Sequence, residues 1–364
     1  MSVTADLEQI VRLAEFEPLA RATMDPAAYD YVAGGSWDEV TLRENEAGWL
    51  RRRFRPRVLV DVSGVDPSTT FHGAPAAIPV AIAPMSVHGI AHPDGELATA
   101  RAAASAGVPF TASTMATRSI EEIAAAAPDA TRWFQLYVQK DFGRSRSLVE
   151  RAVAAGYRAI VVTVDLPVLG YRERDMRSGF EMPTLGNFGA VRPSHRAVLQ
   201  GGVAQDVASV WKGMTWDDLA SIRSWSTLPL VVKGIMTAED ASLAVEHGVD
   251  GLVVSNHGAR QLDRLPATVD VLAEVVASVD GRADVWVDGG VRRGLDIAIA
   301  LALGARGVLV GKPILWALAA GGQVGVERAL AILRKEFELT LALLGAPTPA
   351  QVRADHLVPD TRVP

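Results

Sequence analysis

Eight short apolar runs, rich in β-branched residues, recur along this chain with helical patterns between them, and that alternation limits the fold more than any other feature. The runs are Val80–Ala83, Pro109–Ser113, Trp133–Tyr137, Ala159–Val164, Leu230–Lys233, Gly251–Ser255, Asp284–Val287 and Gly307–Val310. Several are apolar without interruption, which suits strands buried on both faces of a parallel sheet. Helices are expected over Gly95–Ala106, Ser119–Ala126, Ser147–Ala155, Thr237–His247, Thr268–Ser278 and Gly294–Leu303. Ser119 with Glu122 reads as a capping box, and Gly107, Gly156, Gly248 and Gly304 sit where helix C-caps fall. Strands alternating with helices predict an α/β fold, a (β/α)8 barrel. The rival is an open doubly wound sheet, which would place a glycine fingerprint after its first strand. Ala83-Pro84-Met85-Ser86 stands there instead.

The fourth and fifth runs start at 159 and 230, much farther apart than any other neighbouring pair. Residues 171–214 therefore form an insertion after strand 4, expected to serve as a lid at the C-terminal face of the barrel. Residues 1–75 are expected to cap the barrel, with helices over Leu7–Ala14 and Pro26–Val32, and residues 76–364 to form the barrel itself.

Composition narrows the chemistry. With 49% apolar and 21% charged residues in 364, a large core is possible and disorder is not. Cysteine is absent, so disulfides, thiolate nucleophiles and Cys-held metals or clusters are excluded. A net charge of −6 without a basic stripe argues against nucleic acid as a partner. No apolar stretch approaches membrane-spanning length, and no leader or peroxisomal C-terminal signal is visible, so a cytoplasmic enzyme is the expectation. The seven histidines are scattered, and Gly89 and Pro93 spoil His88 and His92 as a helical ligand pair, so no metal site is expected.

Polar groups collect at the C-terminal ends of the runs: Gln135 and Tyr137, Thr163 and Asp165, Lys233, Ser255 to Arg260, Asp288 to Arg292, and Gly311-Lys312. Charges at buried strand ends are unfavourable unless paired or used. Each has a structural explanation on its own: Lys233 as a snorkelling side chain, Asp165 as a helix cap. Six strands doing so in register points to an active site. Gly289-Gly290 and Gly311 leave backbone N–H groups for a phosphate, with Arg292 and Lys312 adding charge; ordinary glycine turns are the other explanation. His257 near Arg260 suggests a general base acting on an anionic substrate, and Arg172 at the mouth of the insertion offers a second guanidinium for a carboxylate.

The run Ser255-Asn256-His257-Gly258-Ala259-Arg260-Gln261-Leu262-Asp263 resembles the signature of the FMN-dependent 2-hydroxy acid oxidases and dehydrogenases, the family of glycolate oxidase, lactate oxidase and mandelate dehydrogenase. The likeness extends from Tyr31 to Pro313. It implies FMN as cofactor and oxidation of an (S)-2-hydroxy acid to the 2-oxo acid, with oxygen or another carrier as acceptor. It implies His257 as base, Asp165 as its orienting carboxylate, Arg172 and Arg260 as the carboxylate clamp, and Tyr31 and Tyr137 as substrate contacts. Lys233 would lie beside flavin N1 and O2. Ser113, Gln135, Thr163, Ser255 and the backbone of Pro84, Met85 and Ser86 would meet the flavin ring. Asp288, Gly290, Arg292, Gly311 and Lys312 would hold the ribityl and phosphate. Met115 and Val168 fall where bulkier residues often line the pocket, which favours a bulky or aromatic substrate such as a mandelate. Hydride transfer is preferred over a carbanion, and the family implies a homo-oligomer, tetramer or octamer. Ser86, Tyr171, Ala259 and Lys312 depart from the commonest pattern, and Ser86 leaves oxidase versus dehydrogenase open. A flavin isomerase, another phosphate-binding barrel, or a flavin-binding protein without turnover are the alternatives.

Overall fold

A computed structural model describes residues 7–188 and 210–359. A small antiparallel hairpin, β1 (Thr69–Phe71) and β2 (Ala74–Ala76), precedes the main sheet. The main sheet consists of β3 (Val80–Ile82), β4 (Phe110–Ser113), β5 (Arg132–Leu136), β6 (Ala159–Thr163), β7 (Leu230–Ile235), β8 (Gly251–Val254), β9 (Asp284–Val287) and β10 (Gly307–Val310). All eight are parallel and close into a barrel, β10 pairing with β3 through Val308–Val80, Leu309–Ala81 and Val310–Ile82. Each expected run is a strand. The barrel, not the open sheet, is the architecture.

Side chains alternate between two cores, which is why these runs read as continuously apolar. Ala81, Ala83, Trp133, Ala159, Val161, Val231, Val253, Trp286 and Leu309 cluster inside the barrel with Phe71 and Ala76 of the hairpin. Their neighbours Val80, Ile82, Phe134, Leu136, Ile160, Val162, Val232, Leu252 and Val254 belong to the core shared with the helices. Trp133 and Trp286 meet edge to face at 5.4 Å, and Phe71 lies 5.9 Å from each, so the hairpin plugs the N-terminal end of the barrel. Trp133→Ala should remove about 3–5 kcal/mol of stability by emptying that plug; a denaturation midpoint shift in the full chain checks it.

The helices start and stop where local chemistry dictates. Ser119 and Glu122 form the expected capping box ahead of Ile120–Ala126, and Thr237 accepts from the Asp240 N–H ahead of Ala238–Glu246. Gly107 takes a left-handed φ of 66° as a C-cap. The expected helix Ser147–Ala155 begins earlier, at Phe142, where Asp141 accepts from Gly143 and Arg144. Gly143, Arg144 and Arg146 had hidden its apolar period. Leu7–Ala14 is not an α-helix. It resolves into 3₁₀ turns at Leu7–Gln9 and Leu13–Glu15 separated by an extended Arg12, and the α-helix is Phe16–Thr23. Pro18 explains this, being tolerated only in a first turn.

Apart from the hairpin, part of the segment N-terminal to the barrel packs on the mouth. Its helices Pro26–Ala33 and Val40–Leu50 lie against the start of the insertion and the loop after β8. Tyr31 stacks on Phe180 at 4.2 Å, the Trp37 N–H donates to the Tyr171 carbonyl at 2.8 Å, and Arg174 pairs with Glu39 at 2.8 Å. The insertion opens with the helix Glu173–Ser178, and the helix Asp217–Arg223 follows it; residues 189–209 of the expected lid lie outside the described residues. The helical segment Lys312–Leu344, kinked at Gly321 and Gly322, follows β10, and 3₁₀ turns at Pro349–Gln351 and Ala354–His356 come after it. Among the described residues no helix is long and apolar enough to cross a membrane.

Candidate active site

One cleft at the C-terminal face runs from His257 and Tyr137 at one end to Gly290, Arg292 and Lys312 at the other, enclosing about 1000 Å³ with its open mouth included. Tyr31, Pro84, Met85, Ser86, Thr163, Lys233, Arg260, Asp288 and Gly311 line it between. Fourteen of the residues expected from sequence therefore share one cavity.

The other expected residues stand behind that wall or away from it. Ser113 donates to Gln135 Oε1 at 3.1 Å, and Gln135 Nε2 donates to Thr163 Oγ1 at 3.0 Å, a buried chain across three strand ends. Lys233 Nζ donates to Ser255 Oγ at 2.8 Å and lies 3.0 Å from the Asp288 carboxylate. Met115 donates its N–H to Ser113 Oγ and is half-buried. Val168 is 55% exposed, and neither it nor Met115 lines the cleft.

His257 sits at a point of backbone strain. It and Ala259 carry left-handed φ angles of 60° and 63° around Gly258 at 62°. This sharp turn at the end of β8 presents the imidazole to the cleft. Nδ1–H donates to Asp165 Oδ1 at 2.8 Å, which leaves the Nε2 lone pair facing the cleft, where the Tyr137 hydroxyl donates to it at 3.3 Å. Burial holds the His257 pKa below its ordinary value; the Asp165 carboxylate opposes this, and Lys233 and Arg172 reinforce it. The imidazole is thus neutral near pH 7, as a base must be. Asp165 is held below the usual carboxylate range: burial pushes it up, but the charge and hydrogen bond of His257 and the charge of Lys233 outweigh burial.

Two guanidiniums flank this pair. Arg172 is buried, donates to the Arg260 carbonyl at 3.0 Å, and is pushed down to about 10 by burial and by the charge of Arg260. Arg260 lies over the Tyr31 ring at 4.6 Å and donates to the carbonyls of Tyr31 and Gly34. The Tyr31 hydroxyl bonds to Ser86 Oγ at 2.7 Å.

The opposite end suits a phosphate. Gly289 and Gly290 have φ of 90° and 78°. A Cβ on Gly290 would lie 1.9 Å from the Asn45 carbonyl oxygen, so the bare backbone is required there. Gly290→Ala should lose more than about 1 kcal/mol and loosen the cofactor; melting temperature and flavin retention check it. Burial drives the Lys312 pKa well below its ordinary value, with Arg260 and Arg292 adding like-charge repulsion. Its ammonium meets the carbonyls of Ala33 and Gly34 at 2.9 and 3.1 Å. A phosphate dianion would relieve that repulsion. Asp288 Oδ1 is buried without a hydrogen-bond partner, an acceptor suited to a hydroxyl. On donor chemistry the residues fit FMN, with the phosphate toward Gly290, Arg292, Gly311 and Lys312.

Sequence reasoning missed Asn45, Glu46 and Gln261. Asn45 exchanges two 2.8 Å amide hydrogen bonds with Asn256, and Glu46 pairs with Arg292 at 2.7 Å. Gln261 donates to the carbonyls of Asp165 and Val168. The Asn-Glu pair within Val40–Leu50 gave no signal, because its partners are remote in sequence.

Fold and site define a (β/α)8 barrel whose cleft carries a neutral histidine at one end and a cradle of glycines and cations at the other. A family described as FMN-dependent dehydrogenase matches residues 20–359, and the chain belongs to it. L-lactate oxidase of Nostoc sp. is 47% identical over 344 residues, 92% of this chain and 94% of that protein. Glycolate oxidase of Spinacia oleracea is 45% identical over 360 residues, 97% and 96% of the two chains. A solved structure of mandelate oxidase with (S)-4-hydroxymandelic acid superposes with a TM-score of 0.90 at 43% identity, covering 96% of this chain and 98% of that one. The protein is an FMN-dependent oxidoreductase of 2-hydroxy acids.

Burial lowers the pKa of His72, His88 and His257 together. A depressed histidine contributes stability above its unfolded pKa, about 6.5, that is lost as pH falls. The melting temperature should drop on acidification below about pH 6.5, and a flat profile from pH 7 to 5 would remove this linkage.

Proposed function

We propose that the enzyme oxidises a bulky or aromatic (S)-2-hydroxy acid to its 2-oxo acid, with oxygen as the final electron acceptor. The observation that carries the reading is the neutral His257 imidazole hydrogen-bonded to the Asp165 carboxylate, with Arg260 in the cleft wall and Arg172 buried beside it. Arg172 and Arg260 hold the substrate carboxylate, which orients the α-carbon. His257 Nε2 takes the hydroxyl proton, and Asp165 stabilises the imidazolium that results. Tyr137 and Tyr31 hydrogen-bond the substrate oxygens, and Ser86 fixes the Tyr31 hydroxyl. FMN, when bound, supplies the two-electron acceptor. Lys233, kept protonated because Asp288 and Asp165 outweigh its burial, supplies positive charge next to the cofactor. Thr163 meets the cofactor from the cleft wall, and Ser113, Gln135 and Ser255 brace the strand ends behind it. Residues 1–75 act as a cap and 171–214 as a lid.

The likeness to mandelate oxidase supports the aromatic substrate. The lactate oxidase, 47% identical against 43% for the mandelate oxidase, supports a second reading, a small 2-hydroxy acid. Anaerobic stopped-flow mixing with mandelate, lactate and glycolate, followed by air, separates them. Mandelate should bleach the flavin fastest and air should restore it. Faster bleaching by lactate or glycolate moves the assignment to the small acids, and slow recovery in air removes oxygen as acceptor.

A further inference from the structure

Glu96 is a carboxylate with no exposed surface, and among the described residues no cation pairs with it. Hydrogen-bond donors from two loops hold it instead. Oε1 accepts from the backbone N–H of His88 and of Thr117, each at 2.9 Å, and Oε2 accepts from the Thr117 hydroxyl at 2.5 Å. Thr117 Oγ1 in turn accepts from the Gly89 N–H at 3.1 Å. Such charge-assisted bonds are the strong ones, and a buried carboxylate persists only when they are made.

The two loops leave β3 and β4, and both reach the active site. The first carries Pro84, Met85 and Ser86 in the cleft wall. The second carries Ser113 and Thr114, both bonded to Gln135 Oε1. Between Ser86 and His88 lies Val87, fully buried at φ 50° and ψ 52°. A β-branched residue in the left-handed region is a true outlier, and it survives only where its surroundings impose it. Its N–H donates to the Met115 carbonyl at 3.0 Å, and Glu96 grips the very next residue.

We propose that Glu96 is a positioning residue for the FMN site: its carboxylate locks the left-handed turn at Val87 and so fixes Met85 and Ser86 in the cleft wall. The proposal rests on the assignment of Pro84–Ser86 to the flavin-facing wall. Nothing in it requires Glu96 to touch substrate or cofactor.

The test follows release of FMN from diluted holoenzyme by the rise of free-flavin fluorescence, with the absorption bands of bound flavin recorded alongside. Glu96→Leu removes all three acceptor bonds and should weaken FMN binding by roughly 30-fold. Adding Val87→Gly should recover about tenfold of that, because glycine takes the left-handed turn without the carboxylate to hold it. A residue that only supports the fold would not be rescued by deleting a buried valine. Thr117→Val is the mild variant, expected to fold and to loosen FMN about fivefold. Wild-type FMN release and an unchanged spectrum in Thr117→Val and Glu96→Leu would overturn the proposal, and Thr117→Val alone decides if Glu96→Leu does not fold. Failure of Val87→Gly to recover binding overturns the link through the turn. Ser86→Leu tests the wall assignment separately: if it retains FMN as wild type does, that assignment falls, whatever the Glu96 variants show.

Discussion

His257→Ala should keep FMN and slow flavin reduction by substrate about 10²- to 10⁴-fold, the usual contribution of a positioned general base. The imidazole reaches the cleft through Nε2 alone, because Nδ1–H is committed to Asp165 at 2.8 Å. Among the described residues beside the imidazole, none other is built to take a proton near neutrality: burial drives the Tyr137 pKa upward, and Asp165 is held low. The His257 pKa is itself depressed by burial, so the wild-type rate should be steady at neutral pH and fall only as acid charges the ring. The alanine variant should lose that acid limb together with the rate. Anaerobic stopped-flow traces across pH decide it; fast reduction in the variant would take the base away from His257.

Arg260→Met should raise KM about 30- to 1,000-fold, from about 2–4 kcal/mol for truncating one partner of a buried charge pair. A guanidinium grips a carboxylate with a planar fork, so Arg260→Lys should recover only part of the loss. Arg260 also ties the carbonyls of Tyr31 and Gly34, so its removal loosens the segment carrying Tyr31. Arg172→Met gives a comparison in which that tie remains. KM unchanged in both variants would remove the clamp, whereas a rise in Arg260→Met alone would place the carboxylate on that side.

Much of this architecture was legible in the chain because its physics is local. A strand buried on both faces must be apolar at every position, and AIVVT at Ala159–Thr163 says so without help. Polar residues at the ends of such runs stand out, which is how His257, Lys233 and Asp288 were found. What stayed hidden depends on partners far off in sequence. The need for glycine at 290 was read as phosphate binding, yet the structure adds a nearer reason, the Asn45 carbonyl pressed against it. The hairpin at Thr69–Ala76 is too short to show a period, and its worth lies in Phe71 filling the barrel end. Glu96 lies in the first turn of Glu96–Ala106, where an acid needs no special explanation, and only its burial shows that two loops converge on it. Val168 shows the opposite failure: its place in the chain suggested a pocket wall, but the loop carries it outward.

The barrel seam joins β10 to β3, the last and first strands of the closed sheet. During synthesis on a ribosome, β3 emerges early and waits for Gly307–Val310 before its partner exists. Until then β3 and β9 each present an unpaired edge, the kind of surface on which other chains add strands. Most of the chain therefore passes through a period when it must be kept from its neighbours, and closing the longest loop in the fold comes last and slowly. Lys312 stands two residues past the closing strand, so the cleft gains its last cation only as the seam shuts. On the proposed placement of FMN, a nascent chain should gain a firm hold on it only when the barrel is complete.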